Sequence, residues 1–165
     1  MKLVEALQQS HSQLRRIADD LLIASDTHYQ SLYFEQLWQQ FFVHERAEEY
    51  VVFRVMNDKL IENNQFTEQA LDFAVNEHHY FENFVENIVM MPKDNEERPK
   101  LIRELISQLE SHMQHEEAYI FPRFREQISD EKNQELVDMY IQKCREFNRG
   151  YTHDSPVKLE SAVAG

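Results

Sequence analysis

Apolar residues fall at helical spacing in five stretches of this chain. From about Leu3 to Ile23, Val4, Leu7, Leu14, Ile17 and Leu21 recur every three or four residues, and His11 lies on the same stripe. That spacing marks one face of an α-helix. Ser25-Asp26-Thr27 offers a turn and a capping residue for the next helix, since short polar side chains accept the free N–H groups of a first turn. A second helix is predicted from about His28 to the mid-fifties, dense in aromatics at Tyr33, Phe34, Trp38, Phe41 and Phe42. Asn57-Asp58-Lys59 and Asn63-Asn64 break the pattern. It resumes near Thr67 with Leu71, Ala74, Phe81, Val85 and Ile88, and stops at Met91-Pro92. A fourth helix opens near Pro99, a residue suited to a first turn, and carries Leu101, Ile102, Leu105 and Leu109. Pro122 lacks an N–H and is predicted to stop or kink that helix. A fifth stretch, about Asp130 to Phe147, is amphipathic through Leu136, Met139, Tyr140 and Phe147, and a loose polar tail follows from Gly150.

Strands need turn residues at short intervals, and a chain of 165 residues with two glycines and four prolines supplies few. The expected fold is all-α: an up-down-up-down four-helix bundle over residues 1–125, an extra C-terminal helix over 126–149, and a flexible tail over 150–165. The extra helix could cover the bundle end or pair with a second copy, giving a homodimer. The sequence does not decide between them.

The most specific signal is a repeat. His44-Glu45-Arg46-Ala47-Glu48-Glu49-Tyr50-Val51-Val52-Phe53 returns as His112-Met113-Gln114-His115-Glu116-Glu117-Ala118-Tyr119-Ile120-Phe121, a constant offset of 68 residues that aligns the His, both glutamates and the Phe. A His and a Glu four apart on a helix share a face. His11 precedes His44 by 33 residues and His78 precedes His112 by 34, each on the apolar stripe of its helix. Antiparallel helices of these lengths bring all four histidines to one height. Phe34, Leu37 and Phe41 lie on the face of His44 and are expected to wall the layer.

Four imidazoles and two carboxylates inside a helical bundle can hold two first-row metal ions, with the carboxylates bridging and two imidazoles on each ion. The mixed nitrogen and oxygen set suits iron or manganese better than structural zinc, and redox use of an open position favours iron. Glu49, Glu117 and Glu77 are expected beside the site or in solvent. His115, whose place in the first copy is taken by Ala47, is expected at the surface or beside the site, with ligation by it or by Glu82 the lesser alternative; His28, His79 and His153 are expected in solvent, and Cys144 is expected to pack against a helix. Tyr50 and Tyr119, two residues past their glutamates, fall off the ligand face.

The doubled motif resembles the hemerythrin family, specifically the hemerythrin HHE cation-binding domain, over residues from about 1 to 125. The resemblance implies His11, His44, His78 and His112 as terminal iron ligands and Glu48 and Glu116 as bridges. It also implies a non-haem diiron centre, two iron ions with an oxo or hydroxo bridge, that binds O2 or NO. Oxygen-carrying members use a fifth histidine on the third helix, where this chain has Glu82, so it resembles the four-His, two-Glu type. Two classes of function stay open: a carrier, scavenger or sensor, and a redox enzyme or iron donor in nitric oxide or peroxide detoxification or iron–sulfur cluster repair.

A net charge of −13 and a pI near 5.0 argue against nucleic acid or an anionic membrane as partner. The single cysteine excludes an internal disulfide and a thiolate zinc site. Without a signal-like or membrane-spanning apolar run, a cytoplasmic protein is expected.

Overall fold

The computed structural model describes residues 1–53, 55–56 and 65–151. The predicted breaks at Asn57-Asp58-Lys59 and Asn63-Asn64, His153 and nearly all of the polar tail lie outside the described residues. Helix α1 spans Leu3–Ile23 and α2 spans Thr27–Glu48. Asp26 caps α2, its carboxylate accepting the N–H groups of His28 and Tyr29 at 2.8 and 3.3 Å. Helix α3 covers Gln65–Met90, α4 covers Arg98–His115 with Pro99 in its first turn, α5 covers Phe121–Gln127, and α6 covers Asp130–Gly150 behind a Ser129 cap.

Two π-helical turns, Glu49–Phe53 and Glu116–Ile120, follow directly on α2 and α4. Pro122 therefore does not end its helix. The second π turn widens the backbone just before it, and Pro122 sits in the first turn of α5, where its missing N–H is no loss.

Short links at 24–26 and 91–97 make α1–α2 and α3–α4 antiparallel hairpins, which pack into an all-helical bundle. The core falls into two apolar clusters. One, towards these links, holds Leu14, Leu21, Phe34, Leu37, Phe41, Phe81, Val85, Ile88, Leu105 and Leu109. The other holds Leu3, Leu7, Val51, Phe53, Ile120, Phe121, Phe124, Leu136 and Tyr140. Each buried large apolar side chain contributes about 1.5–3 kcal/mol. Between the clusters each of α1 to α4 changes to polar: His11 lies between Leu7 and Leu14, and His78 between Ala74 and Phe81.

Helix α6 lies along α1, α2 and the first π turn, flanking the bundle from Leu3 past the level of His44 to Gln39, whose side-chain amide donates to Asn148 Oδ1 at 2.8 Å. Its start is stitched to the chain's start. Asn133 Oδ1 accepts the Leu3 N–H at 2.7 Å, and Lys2 pairs with Asp130 at 2.7 Å. Among the described residues no helix is long and apolar enough to cross a membrane.

Candidate metal centre

The structure brings His11, His44, Glu48, His78, His112 and Glu116 into the polar layer, each between 0 and 1 % exposed. The Nε2 atoms meet in two pairs: His11 and His44 at 3.0 Å, His78 and His112 at 3.1 Å. Glu116 lies between the pairs, with Oε2 3.4 Å from His11 Nε2 and Oε1 3.2 Å from His112 Nε2. Glu48 Oε2 is 3.6 Å from His44 Nε2, and Glu48, His78 and Glu116 offer ligand atoms within 4.8 Å of one another. Both carboxylates thus reach both pairs.

Each histidine is held from behind at Nδ1. Glu117 Oε1 lies 2.8 Å from His11, Glu49 Oε1 lies 2.7 Å from His78, and Glu77 Oε2 lies 2.9 Å from His112. A carboxylate there fixes the ring proton on Nδ1 and leaves the lone pair on Nε2, facing inward. His44 differs, since its Nδ1 meets the Tyr140 hydroxyl at 2.9 Å.

Two of the supports cross between hairpins: Glu117 of the second holds His11 of the first, and Glu49 of the first holds His78 of the second. The motif's terminal Phe follows the same rule. Phe121 stacks on His11 with centroids 5.3 Å apart, and Phe53 stacks on His78 at 5.7 Å. Nine residues of regular α-helix are about two and a half turns, which would put that Phe opposite its own His. The π turns, with their wider i to i+5 rings, carry it back onto the inward side.

Charges outside the layer fix the supports. Arg15 grips Glu117 with two contacts at 2.9 and 3.2 Å and also bonds Glu110 at 2.8 Å. Arg46 sits 3.5 Å from Glu49 and pairs with Glu82. Burial pushes the Glu117 and Glu49 carboxyls up, yet the hydrogen bonds from Arg15 and His11 in one case and from His78 in the other hold both below the usual carboxylate value.

Burial lowers His11 and His78 to about 4, outweighing their glutamate partners, and holds His44 well below its ordinary value. These rings are neutral at physiological pH, the form that ligates a metal. Glu48 and Glu116 are pushed up, first by burial and, for Glu116, then by the charge of Glu48.

The layer fits a cation. All four oxygens of Glu48 and Glu116 are buried without a hydrogen-bond partner, and lone pairs of paired imidazoles face each other. Unpaired carboxylates inside a core cost several kcal/mol, on the order of a fold's whole stability margin. A metal ion satisfies both kinds of group at once.

Glu82, an alternative ligand in sequence, turns to Arg46 instead. His115 packs against Phe73 and Tyr119, with ring centroids 5.7 and 5.0 Å away. His28 and His79 are exposed, Tyr119 is exposed, and Lys143 lies over the Tyr50 ring at 4.2 Å. Cys144 is half-buried in the core, where burial pushes its thiol up.

Two residues of the site were not read from sequence. Tyr140 comes from α6, outside the repeat, and nothing in its local pattern distinguishes it from a core position. Glu45 is buried beside His78, and its signal was available: it breaks the repeat where the second copy has Met113.

A cleft of about 520 Å³ opens between α1 and α4, lined by Leu14, Arg15, Leu37, Phe41, Leu109 and Met113 among others. Phe41 forms its floor, edge-on to His78 and His112 with centroids 6.5 and 6.1 Å away.

The family model described as "Hemerythrin HHE cation binding domain" matches residues 2–124 and again residues 69–152, the second match starting about one repeat further on. A crystal structure of a hemerythrin HHE cation-binding domain-containing protein from Mycobacterium kansasii is similar in fold, with a TM-score of 0.76 at 16 % identity, covering 91 % of this chain and 89 % of that one. No curated protein sequence matches the chain.

Proposed function

The chain belongs to the hemerythrin HHE cation-binding family, and from that premise we propose that it is a non-haem diiron protein binding a small diatomic ligand, O2 or NO, in the cytoplasm. The carrying observation is the pairing of four inward Nε2 atoms around carboxylate oxygens that no other side chain satisfies. His11 and His44 would hold one iron, His78 and His112 the other, and Glu48 and Glu116 would bridge them. When bound, the iron pair supplies a redox-active centre with room for a small ligand.

The chain's own residues do the rest. Glu117, Glu49, Glu77 and Tyr140 aim the imidazoles, and the apolar clusters on either side keep bulk water from the layer. The cleft lined by Phe41, whose ring lies edge-on to His78 and His112, offers a small ligand an approach to the layer.

A carrier, scavenger or sensor is favoured over a turnover enzyme. Tyr119 is exposed, and Tyr50 packs on the core with Lys143 over its ring. The acidic surface disfavours nucleic acid as a partner.

The test is iron content and the visible spectrum of protein from iron-supplied cells, with His112→Ala and Glu48→Ala. About two irons per chain, with oxo-bridge bands that both substitutions abolish, is the expected result. No bound iron, with both variants folding as the parent does, would remove the diiron reading.

A further inference from the structure

We propose that Glu45 is a third carboxylate ligand, confined to the His78–His112 end of the centre, so that the two metal positions are chemically unlike. This rests on the dinuclear reading above.

Glu45 is 1 % exposed and neither carboxylate oxygen has a hydrogen-bond partner. Its Oε1 lies 3.9 Å from His78 Nε2, and Glu45, His78 and His112 offer ligand atoms within 4.8 Å of one another. The neighbouring cation does not satisfy it, because Arg46 spends its terminal nitrogens on Glu49 and Glu82.

The repeat shows that helix packing does not require a glutamate here. The equivalent position in the second copy is Met113, buried among the apolar residues of the cluster towards the helix links. A methionine therefore fits the slot, and a carboxylate in it is costly unless something binds both oxygens.

The consequence is an asymmetric pair. The His78–His112 position has two imidazoles, both bridging glutamates and Glu45. The His11–His44 position has no counterpart of Glu45 and is the one with room for an exogenous ligand. The first position binds its metal more tightly for the added charge and ligand.

The experiment is anaerobic Fe(II) titration of the full chain, of Glu45→Met and of Glu45→Gln, with the melting temperature of each metal-free protein. The parent is expected to take two equivalents. Both variants are expected to lose affinity at one position by about tenfold or more, a loss of the size metal-site changes produce. Metal-free Glu45→Met should melt higher than the parent, since an unpaired buried carboxylate is gone. A purely structural glutamate would lower that melting temperature. Variants that take two equivalents with unchanged affinity overturn the proposal while leaving the diiron reading standing. A parent that takes fewer than two equivalents overturns the diiron reading, and this one with it. Should Glu45→Met fail to fold, Glu45→Gln, equal in size and uncharged, carries the affinity test alone.

Discussion

A histidine can ligate a metal from inside a helix bundle only if something decides which ring nitrogen faces in. Here three glutamates and one tyrosine make that decision, at 2.7–2.9 Å from Nδ1. Replacing such a support by a group that holds the ring less well typically costs about 10–100-fold in metal affinity. Glu49→Gln is therefore expected to weaken metal binding within that range while the protein stays helical, as read by metal titration and circular dichroism. Tyr140→Phe should act the same way on the His44 side, and His79→Ala, at an exposed ring, should leave affinity unchanged. The six side chains that meet in the layer were legible because spacing puts His44 and Glu48, and His112 and Glu116, four apart on one face, and His11 and His78 on the apolar stripe one hairpin arm away. The supports were less so. Glu49 and Glu117 recur with the motif, but their duty falls on a histidine of the other hairpin, and no rule along one helix points across that gap.

At the scale of the element, periodicity gave the long helices: α1 matches its predicted span of Leu3–Ile23, whereas α2 gives way at Glu48 to a π turn within the span expected of one regular helix. What it could not give was the π turns. A widened turn uses the same residues as a regular one, and its sequence trace is a Phe nine places after its His, which a regular helix would misplace. Pro122 was expected to stop or kink its helix, and the helical backbone instead runs on through it to Gln127, after the widened turn. Helix α6 was legible as an amphipathic stretch, but not the partner its apolar face would take within the chain, which the contacts with Leu3, α1 and α2 supply. Leu136, about 1 % exposed on α6, tests how firmly it is held. Leu136→Ala is expected to lower unfolding free energy by about 2–5 kcal/mol, measured by urea denaturation. A loss well under 1 kcal/mol would show α6 to be loosely applied.

For the whole molecule, a buried acidic and imidazole layer makes metal binding depend on pH. The folded-state values of His11 and His78, about 4 against an ordinary 6.5, are depressed. Their contribution to stability is present above pH 6.5 and is lost as pH falls towards 4. Glu48, Glu116 and Glu45 are raised instead, by burial first. Their contribution in the metal-free protein is present below the ordinary carboxylate value of 4.5 and is lost as pH climbs through the raised values. Metal binding must displace the protons they retain. Affinity for Fe(II) is therefore expected to rise from pH 5.5 to 7.5, by up to about tenfold per pH unit for each proton released. Titrations at several pH values in which affinity does not change would mean that the carboxylates were already ionised.

The crossed supports also set an order of events during refolding. Each hairpin carries two histidines, but Glu117 must arrive from the second to hold His11, and Glu49 from the first to hold His78. Neither hairpin can finish its own position before the two dock. Helical signal should therefore recover ahead of metal-dependent absorbance in stopped-flow refolding with Fe(II) present, and the interval between them would time the docking step itself.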